Sequence, residues 1–181
     1  MSNTTKARGP ATSVALWVAA GAAVPPDVAE RLAAGGRALE VDCGGGLGCL
    51  ALAEAFPAAQ VVGHDRDASA IARAEALARA SGLDGRLSFL VAGSTRLPRA
   101  SFDLAAVRGV SERDDALQVL NALRNALVPE GVCLLVEPLI GSAHGRDAHA
   151  GAISALARQA GFLRCELSCR EPGLDVYELR R

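Results

Sequence analysis

Val41-Asp42-Cys43-Gly44-Gly45-Gly46-Leu47-Gly48 decides the fold of this 181-residue chain. Upstream, Ala38-Leu39-Glu40-Val41-Asp42 reads as a short buried strand, and downstream Leu47 to Phe56 reads as a helix stopped by Pro57. Glycines between a strand and a helix adopt backbone conformations that a Cβ forbids, and they let a ligand touch the main chain. The helix N-terminus points free N–H groups into the same crevice. Ligands of open α/β sheets bind at this carboxyl edge.

Working outward, strands and helices alternate. Gln60 to Asp65 is a second strand, and Asp67 to Ala80 an Ala-rich helix with Gly82 as its C-cap signal. Arg86 to Val91 and Phe102 to Val107 follow as strands, joined by a segment with Pro98 and little room for a helix. Glu112 to Leu127 is a helix ended by Pro129-Glu130-Gly131, Val132 to Glu137 a fifth strand, and residues 148–160 a last helix capped by Gly161. Phe162 to Arg170 and Leu174 to Arg180 close the chain as two strands reversed at Glu171-Pro172-Gly173. Helical crossovers make the first five strands parallel, and the tight reversal makes the final pair antiparallel. The expectation is a Rossmann-like three-layer α/β sandwich around a seven-stranded, mostly parallel sheet whose last strand is antiparallel. Only 3% of residues are aromatic while half are hydrophobic, so Ala, Leu and Val must build the core, and small side chains let helices sit close to a sheet.

Asp65 ends the second strand, where an acid can accept hydrogen bonds from both hydroxyls of a ribose. The plainer reading is that the glycines only make a tight turn and Asp65 caps the next helix. A phosphate loop of the nucleotide triphosphatases needs Gly-Lys-Ser/Thr after the glycines, and here Cys49 and Leu50 follow Gly48, which excludes it. A dinucleotide fingerprint can be forced onto Gly46 to Ala51, so glycine spacing alone leaves NAD open. Asp42 separates the two remaining readings: a carboxylate before the turn suits a ligand with an ammonium and a sulfonium, and suits a pyrophosphate poorly.

With Asp42-x-Gly44-x-Gly46-x-Gly48 in hand, the chain resembles the class I S-adenosylmethionine-dependent methyltransferases from about Ala38 to its C-terminus. Val61-Val62-Gly63-His64-Asp65, Ser101-Phe102-Asp103-Leu104, Leu127-Val128-Pro129-Glu130-Gly131 and Ala160-Gly161-Phe162 carry the rest of the likeness. Within the family it looks most like enzymes that modify small bacterial metabolites. The resemblance implies S-adenosylmethionine as cofactor, with Asp42, Gly44 and Gly46 at its methionine end, Gly48 completing the turn and Asp65 on the ribose. It puts Arg66 along the adenine, Ser94 and Thr95 where the family often has an acid for the adenine amino group, and Arg108 near the reacting methyl. Serine is neutral there, which departs from the family pattern.

The acceptor side is less defined. The loop Arg108 to Asp114 lacks the histidine that related small-molecule enzymes place there. His144 and His149 lie after the fifth strand and are candidates for a base or for solvated loop histidines, and Glu137 is either an acceptor-orienting acid or a strand-end acid bonded to backbone. The connection Leu139 to Ala148 is too short for a lid, which leaves three options: a cap from residues 12 to 33, a partner subunit such as a second copy, or no catalysis. A non-catalytic, cofactor-binding role in regulation or assembly is the alternative to methyl transfer onto a small-molecule acceptor.

Charge and cysteines narrow the class. Nineteen Lys and Arg against twenty Asp and Glu, scattered, argue against a nucleic-acid partner. Five cysteines without a CxxC pair argue against structural zinc and a disulfide framework, so no metal and a cytoplasmic location are expected. The run Val14 to Val24 behind Lys6 and Arg8 has some signal-peptide character but is too short to span a bilayer. It is read as a helix closed by Pro25-Pro26, making residues 1–36 an N-terminal segment and helical cap beside a cofactor-binding domain at 37–181.

Overall fold

The computed structural model describes residues 24–92, 97–138, 143–171 and 173–181, with every side chain among them except those of 143–147 and 171. In chain order the elements are α1 (Pro26–Ala33), β1 (Arg37–Val41), α2 (Leu47–Ala55), β2 (Gln60–Asp65), α3 (Ala68–Ala80), β3 (Leu87–Val91) and β4 (Phe102–Arg108). A 3-10 turn at Val110–Glu112 leads to α4 (Ala116–Ala126), β5 (Leu127–Pro138), α5 (Ala143–Gln159), β6 (Arg164–Glu171) and β7 (Leu174–Arg180).

The seven strands order as β3-β2-β1-β4-β5-β7-β6. Pairs from β3 through β5 are parallel, while β7 runs antiparallel to both β5 and β6. The order reverses direction at β1, which pairs with β2 on one side and β4 on the other, so the turn after β1 opens at the topological switch point.

Both sheet faces are covered, as the alternation of buried residues requires. Ala38, Leu104, Leu134 and Val176 face one core with Val28 and Leu32 of α1, Leu52 of α2 and Ile71 of α3. Leu39, Ala105, Leu135 and Tyr177 face the other with Leu120 and Leu123 of α4 and Ile153 and Ala157 of α5. Neighbouring strand residues therefore belong to opposite cores, the period-2 signature of a sheet buried on both sides. The acid within β1, Glu40, is buried and accepts the Cys49 thiol of α2 at 3.0 Å, joining that helix to the sheet through a polar contact.

The structure corrects three boundaries. Pro25-Pro26 opens a helix rather than closing one: Pro25 is the N-cap residue of α1 and Pro26 its first residue, where a missing N–H costs nothing. Residues 26–33 also do not form a cap over the glycine turn. Val28 and Leu32 are buried on the sheet, and Arg31 reaches Asp103 (3.2 Å) and the Glu130 carbonyl (2.8 Å) near the amino ends of β4 and β5, away from the carboxyl edge. Finally, β5 starts at Leu127 rather than Val132, and α5 starts at Ala143 rather than near residue 148. Leu127 pairs with Phe102 across an irregularity in the β4–β5 register, which absorbs the Pro129-Glu130-Gly131 segment into the strand. The proposed cap upstream of residue 24 lies outside the described residues.

Candidate active site

The glycine turn is shaped by three left-handed residues. Asp42 has φ 58°, Gly44 φ 53° and Gly46 φ 80°, so the chain reverses sharply after β1 and enters α2 with Gly46 as its N-cap residue. The glycines do different work. A Cβ on Gly44 or on Gly45 would meet nothing within 4 Å, so their backbone faces open space. A Cβ on Gly46 would lie 2.8 Å from Ala74 Cβ and 3.1 Å from the Phe89 ring, so its bareness serves packing between α2, α3 and β3. Gly48 is buried in the first turn of α2.

Asp65 braces this turn. Its Oδ2 accepts the Gly44 N–H at 2.7 Å and its Oδ1 accepts the Asp67 N–H at 2.9 Å, while Asp67 itself caps α3 through the Ser69 N–H at 2.8 Å. An ionised carboxylate has about four acceptor positions, so two remain for a ligand. The cap of α3 thus belongs to Asp67 and not to Asp65.

Beside the turn lies a cavity of about 330 Å³ lined by Val41, Asp42, His64, Arg66, Ala92, Arg113 and Val119. That volume falls within the range of small-molecule sites, roughly 300–1,000 Å³. Asp42 and Arg66, both anticipated, are there; Arg108, at the end of β4 and half-buried, is not among the lining residues. Arg113 and His64 were missed. His64 carries little signal because it sits inside an apolar strand, and burial pushes its imidazole pKa down, with Asp65 opposing. Arg113 pairs with Asp42, which is 71 positions away. It also forks onto Asp115, Nε to Oδ1 at 2.8 Å and Nη2 to Oδ2 at 3.2 Å, and Arg66 pairs with the same Asp115. Arg113 and then Arg66 hold the Asp115 carboxyl well below the usual carboxylate range.

On the same sheet edge, Glu137 near the end of β5 is fully buried. It accepts the Val110 N–H at 2.8 Å, the Ser111 N–H at 3.2 Å and the Ser111 hydroxyl at 2.5 Å, so it anchors the loop after β4 as a backbone-bonded strand-end acid. Burial nonetheless pushes its pKa up against those hydrogen bonds. His149 of α5 brings its buried Nε2 to 3.8 Å from Glu137 Oε2, with no hydrogen-bond partner among the described residues. Next in the sheet, Asp175 pairs in register with Glu137 and accepts Arg170 at 2.9 and 3.2 Å. Ser94, Thr95 and the His144 side chain lie outside the described residues. Among those described, no group of acidic, His and Cys side chains could hold a metal, and no helix is long and apolar enough to cross a membrane.

A glycine turn with an acid on either side of it at the switch point stands where open α/β sheets bind their ligands. A sequence profile described as a methyltransferase domain matches residues 38–131, just over half of the chain, and the chain belongs to that family. No curated protein matches it by sequence. Among solved structures it is similar to the mitomycin 7-O-methyltransferase MmcR, with TM-score 0.74 and 19% identity over 94% of this chain. A similar likeness holds for the O-methyltransferase NcsB1 from neocarzinostatin biosynthesis, solved with S-adenosylmethionine and 2-hydroxy-5-methyl naphthoic acid (TM-score 0.70, 21% identity, 94% of this chain). An S-adenosylmethionine-dependent methyltransferase from Aquifex aeolicus aligns over 81% of this chain and 83% of its own, with TM-score 0.68 and 16% identity. The chain spans only 54% and 55% of the lengths of MmcR and NcsB1.

Proposed function

We propose that this chain binds S-adenosylmethionine in the cleft between Asp42 and Asp65 and transfers its methyl group to a small-molecule acceptor. The observation that carries the reading is the pair of carboxylates flanking an open glycine backbone: Asp42 lines the cavity, Asp65 touches the Gly44 amide, and Gly44 and Gly45 leave room for close approach. Asp42 would hold the ammonium of the cofactor, Asp65 the ribose hydroxyls, and Val41, Ala92 and Val119 would supply apolar walls. Family membership and the O-methyltransferase neighbours support the same reading.

The bound cofactor supplies a methyl group already activated on a sulfonium. What remains for the protein is alignment, exclusion of water and, for a hydroxyl acceptor, removal of one proton. His149 fits that last task. Its buried Nε2 lies 3.8 Å from Glu137 Oε2, and its side chain is 30% exposed. Nδ1, the other ring nitrogen, would then take the acceptor proton. Ser111 and Glu137 hold the loop that borders this edge.

Calorimetry with S-adenosylmethionine, S-adenosylhomocysteine and NAD tests the reading. Both adenosyl compounds should bind well ahead of NAD. Tighter binding of NAD would end it, and binding of the cofactor with no methyl transfer to any phenolic or hydroxylated acceptor would favour the regulatory alternative.

A further inference from the structure

Of the ion-pair chain across the cleft, only Asp42 has a role in the reading above. Asp42, Arg113, Asp115 and Arg66 alternate in sign from the turn after β1, over the loop after β4, to the residue after β2. Its centre, Arg113, is only 16% exposed and uses three nitrogens at once. Asp115 grips one edge of the guanidinium in a two-point fork, the strongest geometry such a pair has. The Nη1 edge is turned to Asp42 and to the cavity. Asp115 lies outside the cavity lining, so a ligand entering the cleft meets Asp42 and Arg113 and leaves the anchor of Arg113 in place.

Resting on the proposed cofactor, we propose that Arg113 recognises the α-carboxylate of its amino-acid tail by exchanging ion pairs with Asp42. Without ligand, Asp42 and Arg113 neutralise each other. A zwitterionic tail offers one positive and one negative group, so Asp42 takes the ammonium, Arg113 takes the carboxylate, and no partly buried charge is left unpaired. This makes the pair a filter. A ligand with no tail leaves the Asp42–Arg113 pair intact and gains nothing from it. A ligand with an amine but no carboxylate strips Asp42 from Arg113 and leaves the Nη1 edge without its partner, with Asp115 alone facing both Arg113 and Arg66, which is costly in a partly buried site.

The test is calorimetry on wild type, Arg113→Gln and Arg113→Lys with three ligands: S-adenosylhomocysteine, 5′-methylthioadenosine and decarboxylated S-adenosylmethionine. Wild type should prefer S-adenosylhomocysteine to the decarboxylated ligand. In Arg113→Gln, affinity for S-adenosylhomocysteine should fall by at least about tenfold, the scale of a lost charged hydrogen bond. Affinity for 5′-methylthioadenosine should stay within about twofold, which also reports that the cleft is folded. Lysine should recover part of the loss. Tighter binding of S-adenosylhomocysteine by Arg113→Gln would show that Arg113 only plugs the cleft, and equal losses for both nucleosides would show a structural role; either overturns the proposal. Failure of wild type to bind any adenosyl ligand would instead overturn the cofactor reading on which it rests.

Discussion

The two ends of the site are built by different means. The proposed cofactor end is a stretch of chain: Asp42, Gly44 and Gly46 fall within five positions, and their positive φ values produce the turn locally. The proposed acceptor end is an assembly, in which Glu137 of β5, Ser111 of the loop after β4 and His149 of α5 meet only because the sheet brings them together. A turn depends on backbone conformation and close packing, so substitutions there should act through sterics. An assembly around a buried acid depends on satisfied hydrogen bonds, so substitutions there should act through unpaired polar groups.

Gly46→Ala should have the largest effect. Its Cβ would press on Ala74 and Phe89, and the left-handed backbone adds strain. Overpacking of about 1–3 kcal/mol and about 1–2 kcal/mol of strain give a loss of roughly 2–5 kcal/mol in denaturant unfolding. Gly44→Ala shares the strain but meets open space, so it should cost only about 1–2 kcal/mol of stability while obstructing the ligand. Equal losses in the two variants would mean that packing does not distinguish the glycines, and the sterics-first account of this end would fail.

Glu137→Ala comes next. Removing the carboxylate strands the Val110 and Ser111 amides, and an unsatisfied buried donor costs about 1–3 kcal/mol. A loss of about 2–4 kcal/mol is expected, since Ser111 can turn to water. Glu137→Gln keeps an acceptor for Val110 and should lose less than about 1.5 kcal/mol. If methyl transfer to a hydroxyl acceptor drops in Glu137→Gln with folding intact and the pH–rate profile shifts, Glu137 also tunes His149. An unchanged profile would reduce it to an anchor.

The contrast also explains what could be read in the sequence. Parallel pairing and the glycine turn follow from periodicity and local backbone needs in residues 38–91, and the reversed last strand from the turn at Glu171-Pro172-Gly173, so these were visible in the sequence, whereas the order of the strands was not. Contacts made across the sheet were not. Arg113 looks like one charge among several in Ser111-Glu112-Arg113-Asp114, and only folding sets it against Asp42. His149 could be named but not paired, because nothing in the spacing shows that its ring faces Glu137. The early start of α5 was hidden by Gly145 and Asp147, weak helix formers that tertiary packing of Ile153 and Ala157 overrides.

The smallest effect sits at His64 on the cavity wall. Its folded pKa lies below the ordinary 6.5 because burial disfavours the charged ring, so the unfolded chain binds more protons than the folded one between those two values. Stability should therefore fall as pH drops through 6.5 and level off once the folded imidazole also protonates. Two other groups act elsewhere or with opposite sign. Asp115, held low by Arg113 and Arg66, loses its contribution only below 3.8. Glu137, raised by burial from 4.5, favours the folded state on the acid side of its window, so its effect runs against that of His64. The decisive quantity is the difference between wild type and His64→Gln in urea unfolding at about pH 8 and about pH 5.5. Wild type should lose more stability than the variant on acidification. If the two lose the same amount, His64 is solvated in the folded state, and the cavity wall is wetter than its burial indicates.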